Sequence, residues 1–177
     1  MKRTAYFMIL VAMIVSSCQP APTKIEEPPP KIVDLEAAKT EVGALLDTYH
    51  KTMKSKDASE MVKLLAEDGL YCGTDSKELW DKEGFSDYIR KAFADTSAAT
   101  NYIVDRRKIR VAKDGNSAIG VEQFIDAASP KIPLRVVSHL IKDGNIWKLD
   151  FASWSLVPAN EDVPKINDAL SSPAENQ

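Results

Sequence analysis

An α+β domain is what this 177-residue sequence predicts, and two patterns along the chain carry that expectation. Apolar residues recur at three- and four-residue steps through the first half, the spacing of one helix face. In the second half they fall in strand-like runs on either side of two Asp-Gly turns. Helices first and a meander afterwards predict N-terminal helices packed on a curved, mostly antiparallel sheet.

The first helix places Leu35, Ala38, Val42, Leu45, Leu46, Tyr49 and Met53 on one face, and Asp34 stands where a cap belongs. A second begins at Asp57, with Glu60 three residues on as in a capping box. It turns Met61, Leu64 and Leu65 inward and is expected to stop at Gly69. Leu70 to Gly73 then has the character of a short strand. The third helix holds Phe85, Tyr88, Ile89, Ala92 and Phe93. Four longer strands follow. Tyr102 to Ala112 and Ser117 to Ile125 flank Asp114-Gly115, and Leu134 to Lys142 and Ile146 to Val157 flank Asp143-Gly144. Asp-Gly suits a two-residue hairpin turn in which both central residues take positive φ. Both turns lie in the tetrapeptide Lys-Asp-Gly-Asn, but the flanks show no repeat.

The folded domain so defined runs over residues 34–157, and the chain around it has a different character. Met1-Lys2-Arg3 precedes an apolar run from Ala5 to Val15. That run is shorter than the ~20 residues a membrane-spanning helix needs and has the length of a signal-peptide core. Val15-Ser16-Ser17-Cys18 then resembles the bacterial lipobox, in which cleavage falls before the cysteine and its sulfur takes diacylglycerol. The expectation is a lipoprotein with a signal peptide over residues 1–17 and a lipid on Cys18, whose membrane partner is reached through acyl chains contributing ~0.8 kcal/mol per buried methylene. An ordinary signal peptide cut after Ser17 is the alternative. Gln19 is not the aspartate that in some bacteria retains lipoproteins at the inner membrane, so the outer membrane of the cell envelope is the expected location. Residues 18–33, with Glu26-Glu27-Pro28-Pro29-Pro30-Lys31, lack apolar periodicity and are expected to form a semi-rigid stalk. Residues 158–177 form a polar tail expected to fray, although Ile166 and Leu170 fall at helical spacing.

Composition excludes several functions. The net charge is -3, and removal of Lys2 and Arg3 with the leader makes the remainder more acidic. With no basic cluster, nucleic acid is not an expected partner. Lipidation of Cys18 leaves Cys72 as the other of the two cysteines, so no internal disulfide framework is expected. Cys72 follows Leu70-Tyr71 and is expected to be a buried, inert thiol. His50 and His139 belong to no cluster with metal-ligand spacing, His50 being placed on the polar side of the first helix. Gly-rich phosphate loops and serine-nucleophile elbows are absent, and no metal or cofactor is implied.

Several segments in order carry a resemblance. Leu65-Ala66-Glu67-Asp68-Gly69-Leu70-Tyr71-Cys72-Gly73-Thr74-Asp75 is followed by Glu78, Trp80 and the helix around Phe85. Later comes Gly144-Asn145-Ile146-Trp147-Lys148-Leu149, ending in Trp154-Ser155. Together they resemble the SnoaL-like branch of the nuclear transport factor 2-like superfamily, over roughly Leu35 to Val157. The resemblance implies a curved sheet wrapped around helices into a cone with a pocket, often as a homodimer packed through the sheet. It implies little about chemistry, since the fold hosts isomerases, cyclases, dehydratases and non-catalytic binders. It also places Glu78 and Trp80 at the pocket mouth.

Candidate site residues follow from strand register. If Lys142 opposes Asn145 across the last turn, Val136, Ser138, Leu140, Trp147, Leu149, Phe151 and Ser153 share one face. That face is the more apolar and is expected to point into the pocket, which makes Tyr71, Trp80, Glu122, Trp147, Phe151 and Ser153 the candidate pocket residues. Arg135, Val137, His139, Ile141, Lys148, Asp150, Ala152 and Trp154 take the outer side. His139 and Asp150 are diagonal neighbours there, an acid-base pair in form, though their face favours a salt-linked surface or interface patch. In the first hairpin Arg107 opposes Glu122, flanked by Ile109, Gly120 and Phe124. A cross-strand ion pair is its ordinary role; a polar ligand contact or pocket acid is the other.

The leading expectation is therefore a membrane-tethered domain binding a small apolar or amphipathic ligand in its cone, without catalysis. An isomerase, dehydratase or cyclase using His139 with Asp150, or Glu122, is the enzymatic alternative. A structural homodimeric module of the envelope is the third.

Overall fold

The computed structural model describes residues 33–95, 101–126 and 131–171. The leader, Cys18 and the stalk to residue 32 lie outside the described residues. In chain order the elements are α1 (Leu35–Ser55), α2 (Ala58–Leu64), β1 (Leu65–Cys72), β2 (Leu79–Trp80), α3 (Lys82–Ala94), β3 (Tyr102–Val111), β4 (Ser117–Asp126), β5 (Leu134–Asp143), β6 (Ile146–Leu156) and, after a short 3-10 turn, α4 (Val163–Ser171). The fold is α+β, with α1 to α3 packed against one six-stranded sheet ordered β2-β1-β6-β5-β4-β3. β3 to β6 form the antiparallel meander, while β1 joins β6 in parallel.

The helices begin where short acidic side chains satisfy their first amides. Asp34 accepts from Glu36 and Ala37 at 3.1 and 2.9 Å, Asp57 from Glu60 at 3.0 Å, and Asp81 from Gly84 at 2.8 Å. The second helix differs from expectation. It ends at Leu64, and Gly69 lies inside β1 instead of capping the helix. A Cβ on residue 69 would stand 2.2 Å from the Tyr71 hydroxyl oxygen and 3.0 Å from the Asp150 carbonyl. This glycine thus permits a close crossing of β1 and β6. The tail differs too: residues 163–171 are helical, though none is buried.

In both hairpins only the glycine has positive φ, Gly115 at 70° and Gly144 at 61°. The second closes at Asp143↔Ile146 with Gly144-Asn145 as its loop, so Lys142 opposes Trp147 and not Asn145 as expected, a two-residue shift that leaves the faces unchanged. In the first, Gly115 N–H donates to the Ala112 carbonyl at 2.9 Å, and the Asp114 carboxylate accepts from Asn116 N–H at 3.1 Å. A four-residue turn ending in a left-handed glycine replaces the expected primed turn.

Two bulges decide which side chains face the helices. β6 pairs regularly from Asp143↔Ile146 to Leu140↔Leu149; the next pair is His139↔Phe151, which makes Asp150 an extra residue. One inserted residue exchanges inner and outer faces in everything beyond it. Ala152 and Trp154 therefore oppose the buried Ser138 and Val136, while Phe151 and Ser153 leave the pocket face assigned from regular alternation. In β3 the register shifts between Val104 and Arg106, so Tyr102 and Arg107, five residues apart, both turn toward α1.

The core between helices and sheet joins Val42, Leu46 and Tyr49 of α1, Met61 of α2, Tyr71 of β1, Phe85 and Ile89 of α3, and Phe124, Val136, Leu140 and Leu149 of the meander. Each such side chain contributes ~1.5–3 kcal/mol by leaving water. Gly120 lets α1 approach, because a Cβ there would stand 3.1 Å from the Leu46 side chain.

Candidate functional site

A cavity of about 370 Å3 opens between the C-terminal half of α1, α3, the β1–β2 connection and the far ends of β5 and β6. Tyr49, Met53, Trp80, Phe85, Tyr88, Ile89, Phe93, Leu134 and Trp154 make most of its wall, and Lys56, Thr74 and Glu78 bring polar groups. The rings are mutually braced: Trp80 stacks on Tyr88 at 4.5 Å, and Phe85 on Tyr71 at 4.6 Å. Behind Trp154, Phe124 stacks at 5.1 Å. Trp154 also hydrogen-bonds the Tyr49 hydroxyl, yet burial dominates and holds that phenol in its neutral form well above the ordinary range. Cys72 is half-buried and also lines the cavity, a more open setting than the buried one expected.

Of the six side chains expected at the pocket, Trp80 lines it. Tyr71 is core, its hydroxyl donating to the Leu149 carbonyl at 2.7 Å. Trp147 lies elsewhere, its indole N–H donating to Glu41 at 2.8 Å; that bond, with Lys142, keeps Glu41 below the usual carboxylate range. Phe151 and Ser153 are displaced by the bulge at Asp150. His139 Nδ1 and Asp150 Oδ2 are 2.7 Å apart, the contact expected of them, on the sheet face away from the helices and this cavity.

Glu122 belongs to a separate polar network that strand register revealed only in part. It pairs with Arg107 as expected, Nε donating to Oε1 at 2.5 Å, and it is only 1% exposed. Its second oxygen lies 3.0 Å from His50 Nε2, and His50 Nδ1 lies 2.8 Å from the Tyr102 hydroxyl. Arg107 continues outward to Asp47 at 2.7 Å. Every group is satisfied if Nε2 carries the histidine proton and Tyr102 donates to Nδ1. Burial works against the Arg107 charge, but Asp47 and Glu122 outweigh it and raise its affinity for its proton. His50 is buried, not on the polar side of α1. Its position was legible, since it continues the four-residue stripe Val42–Leu46–His50. Tyr102 was not, because its orientation depends on the β3 bulge. Asp47, His50, Lys54, Arg106 and Arg107 border a shallow groove between α1 and β3. Both ring nitrogens and both carboxylate oxygens already have protein partners, so the network is built to hold α1 on the sheet. Among the described residues, no three His, Cys, Asp or Glu side chains are grouped to hold a metal ion.

The family model for the SnoaL-like domain matches residues 42–160, more than half of the chain, and the chain belongs to that family. No curated protein matches it. Solved structures share the fold at low identity. A nuclear transport factor 2-like protein of unknown function from Pseudomonas putida KT2440 is 14% identical, with a TM-score of 0.61 over 68% of this chain and 87% of that one. A domain of unknown function with a cystatin-like fold from Nostoc punctiforme PCC 73102 is 12% identical, with a TM-score of 0.63 over 78% and 89%. A protein of unknown function from Pectobacterium atrosepticum SCRI1043 is 19% identical, with a TM-score of 0.61 over 73% and 98%. At these identities the likeness concerns the fold alone.

Proposed function

We propose that this SnoaL-like domain binds a small apolar or amphipathic molecule in the cavity between α1 and α3, and that a lipid on Cys18 displays it at the bacterial cell envelope. The observation that supports the binding reading is the cavity: about 370 Å3, walled largely by aromatic and aliphatic side chains, at the small end of the range for ligand sites. The enzymatic alternatives have less support. His139 and Asp150 sit on the opposite face of the sheet, and Glu122 is occupied by Arg107 and His50. The lipobox-like run ending at Cys18 supports tethering, and Gln19 favours the outer membrane. The outer face of the sheet, where Leu70, Val137 and Phe151 are accessible, supports a homodimer packed through it.

Neutral apolar probes such as indole and octanol are expected to raise the melting temperature of the full chain and change the emission of Trp80 and Trp154. Ala92→Trp, at the cavity lining, is expected to abolish both effects. No response to any probe, or an undiminished response in Ala92→Trp, would count against the cavity as the site. For the anchor, labelled palmitate is expected to enter the wild type and not Cys18→Ala; label retained in the variant overturns that assignment.

A further inference from the structure

Among the described residues the cavity lining includes one cation, Lys56, and one acid, Glu78, and the two are held differently. Glu78 closes the turn between β1 and β2. Its Oε2 accepts the Asp75 N–H at 3.1 Å, and its carbonyl accepts the Gly73 N–H at 2.9 Å. Its carboxyl group occupies space that only glycine at 73 leaves open, Oε2 standing 2.0 Å from where a Cβ would be. Its charge also bears on Tyr88, whose hydroxyl is held neutral above the ordinary phenol range, by burial first and by Glu78 second. Glu78 is thus seated as part of the wall.

Lys56 ends α1 in the left-handed conformation, φ 55°, and among the described residues it is the single non-glycine at positive φ. Glycine takes that C-terminal position without strain, whereas a lysine there costs about 1 kcal/mol. The turn itself therefore does not call for lysine. The side chain is half-buried, and its ammonium donates to the Asp95 carbonyl at the end of α3. That carbonyl takes one of three N–H donors; among the described residues no other hydrogen bond to the ammonium is formed, and Lys56 lines the cavity.

We propose that the ligand is an amphipathic carboxylate: an apolar body among Trp80, Phe85, Ile89 and Trp154, with its carboxylate on the Lys56 ammonium. This rests on the cavity being the ligand site, and the experiment separates the two claims. Octanol, octanoate and octylammonium carry the same chain with neutral, anionic and cationic heads, and their affinities for the full-length chain are measured by calorimetry and tryptophan emission. Octanoate is expected to bind about fivefold tighter than octanol, the scale of a charge-assisted hydrogen bond weakened by partial exposure, and octylammonium more weakly than either. Lys56→Gly removes the ammonium and suits the left-handed turn, so it is expected to fold at least as well while the octanoate preference falls to about one. Lys56→Arg is expected to keep the preference, as is the exposed control Lys51→Met.

If octanol binds but octanoate binds no tighter, or octylammonium binds best, the carboxylate assignment is overturned while the apolar site stands. A preference for octanoate that survives in Lys56→Gly also overturns it. Should none of the three probes bind, the reading of the cavity as a ligand site falls, and this proposal with it.

Discussion

At Glu122 a fully buried carboxylate accepts from Arg107 on one oxygen and faces His50 on the other, so Arg107 balances its charge while His50 satisfies its second oxygen, and both partners are needed. Removing one member of such a group leaves the others buried and unpaired, which costs more than the intact pair contributes. Glu122→Gln is expected to lower unfolding free energy by about 3 kcal/mol in urea titrations; a loss under about 1 kcal/mol would show that Asp47 alone can hold Arg107. The tyrosines give a pH dependence. Burial raises the proton affinity of Tyr49, Tyr71 and Tyr102 above that of an unfolded phenol. Below about pH 10 these groups are neutral in both states and their contribution to stability is complete. Above it the unfolded chain releases protons that the folded one retains, so stability falls as pH rises. Phenolate absorbance is expected to appear for these three together with loss of the fold; their ionisation in a still-folded protein would contradict this. Of the residues that matter here, Glu122 with Arg107 and Trp80 could be read from sequence. Lys56 could not, because neither its left-handed backbone nor its place beside α3 leaves a trace in residue order.

Strands β3 and β6 show how a single element sets a site. The four meander strands and all three domain helices could be found from periodicity and caps, because each is a local matter of spacing and hydrogen-bond supply. Facing direction is local only while alternation is unbroken. With Asp150 as an extra residue, β6 directs Trp154 into the cavity wall and moves Phe151 to the other side. Two one-residue deletions separate these effects. Deleting Asp150 removes the bulge and keeps Ala152 and Trp154 on the inner face, so a loss of only about 1 kcal/mol is expected. Deleting Ala152 either turns Trp154 outward with the bulge kept or forces Phe151 into the small buried site of Ala152 with the bulge lost, and either way is expected to cost at least about 3 kcal/mol. Thermal melts rank the two; a greater loss on deleting Asp150 would contradict the bulge as the cause.

Taken as a whole, the domain leaves one sheet face against its helices and the other accessible, with Leu70 52% and Val137 38% exposed. If that face joins two copies, sedimentation of the wild type is expected to give a dimer, and Val137→Lys a monomer, because a lysine ammonium buried in an apolar interface lacks a partner. A monomeric wild type would remove the structural-module alternative. The α+β class and the order of the three domain helices and four meander strands were determined by sequence alone, since they follow from apolar period, caps and turn glycines acting over a few residues. Which face of β6 meets the helices, that His50 and Tyr102 converge on Glu122, and that Lys56 borders an aromatic cavity were decided only in the tertiary structure. Each depends on a bulge, a left-handed residue or a crossing of elements distant in the chain, where packing overrides the alternation that sequence displays.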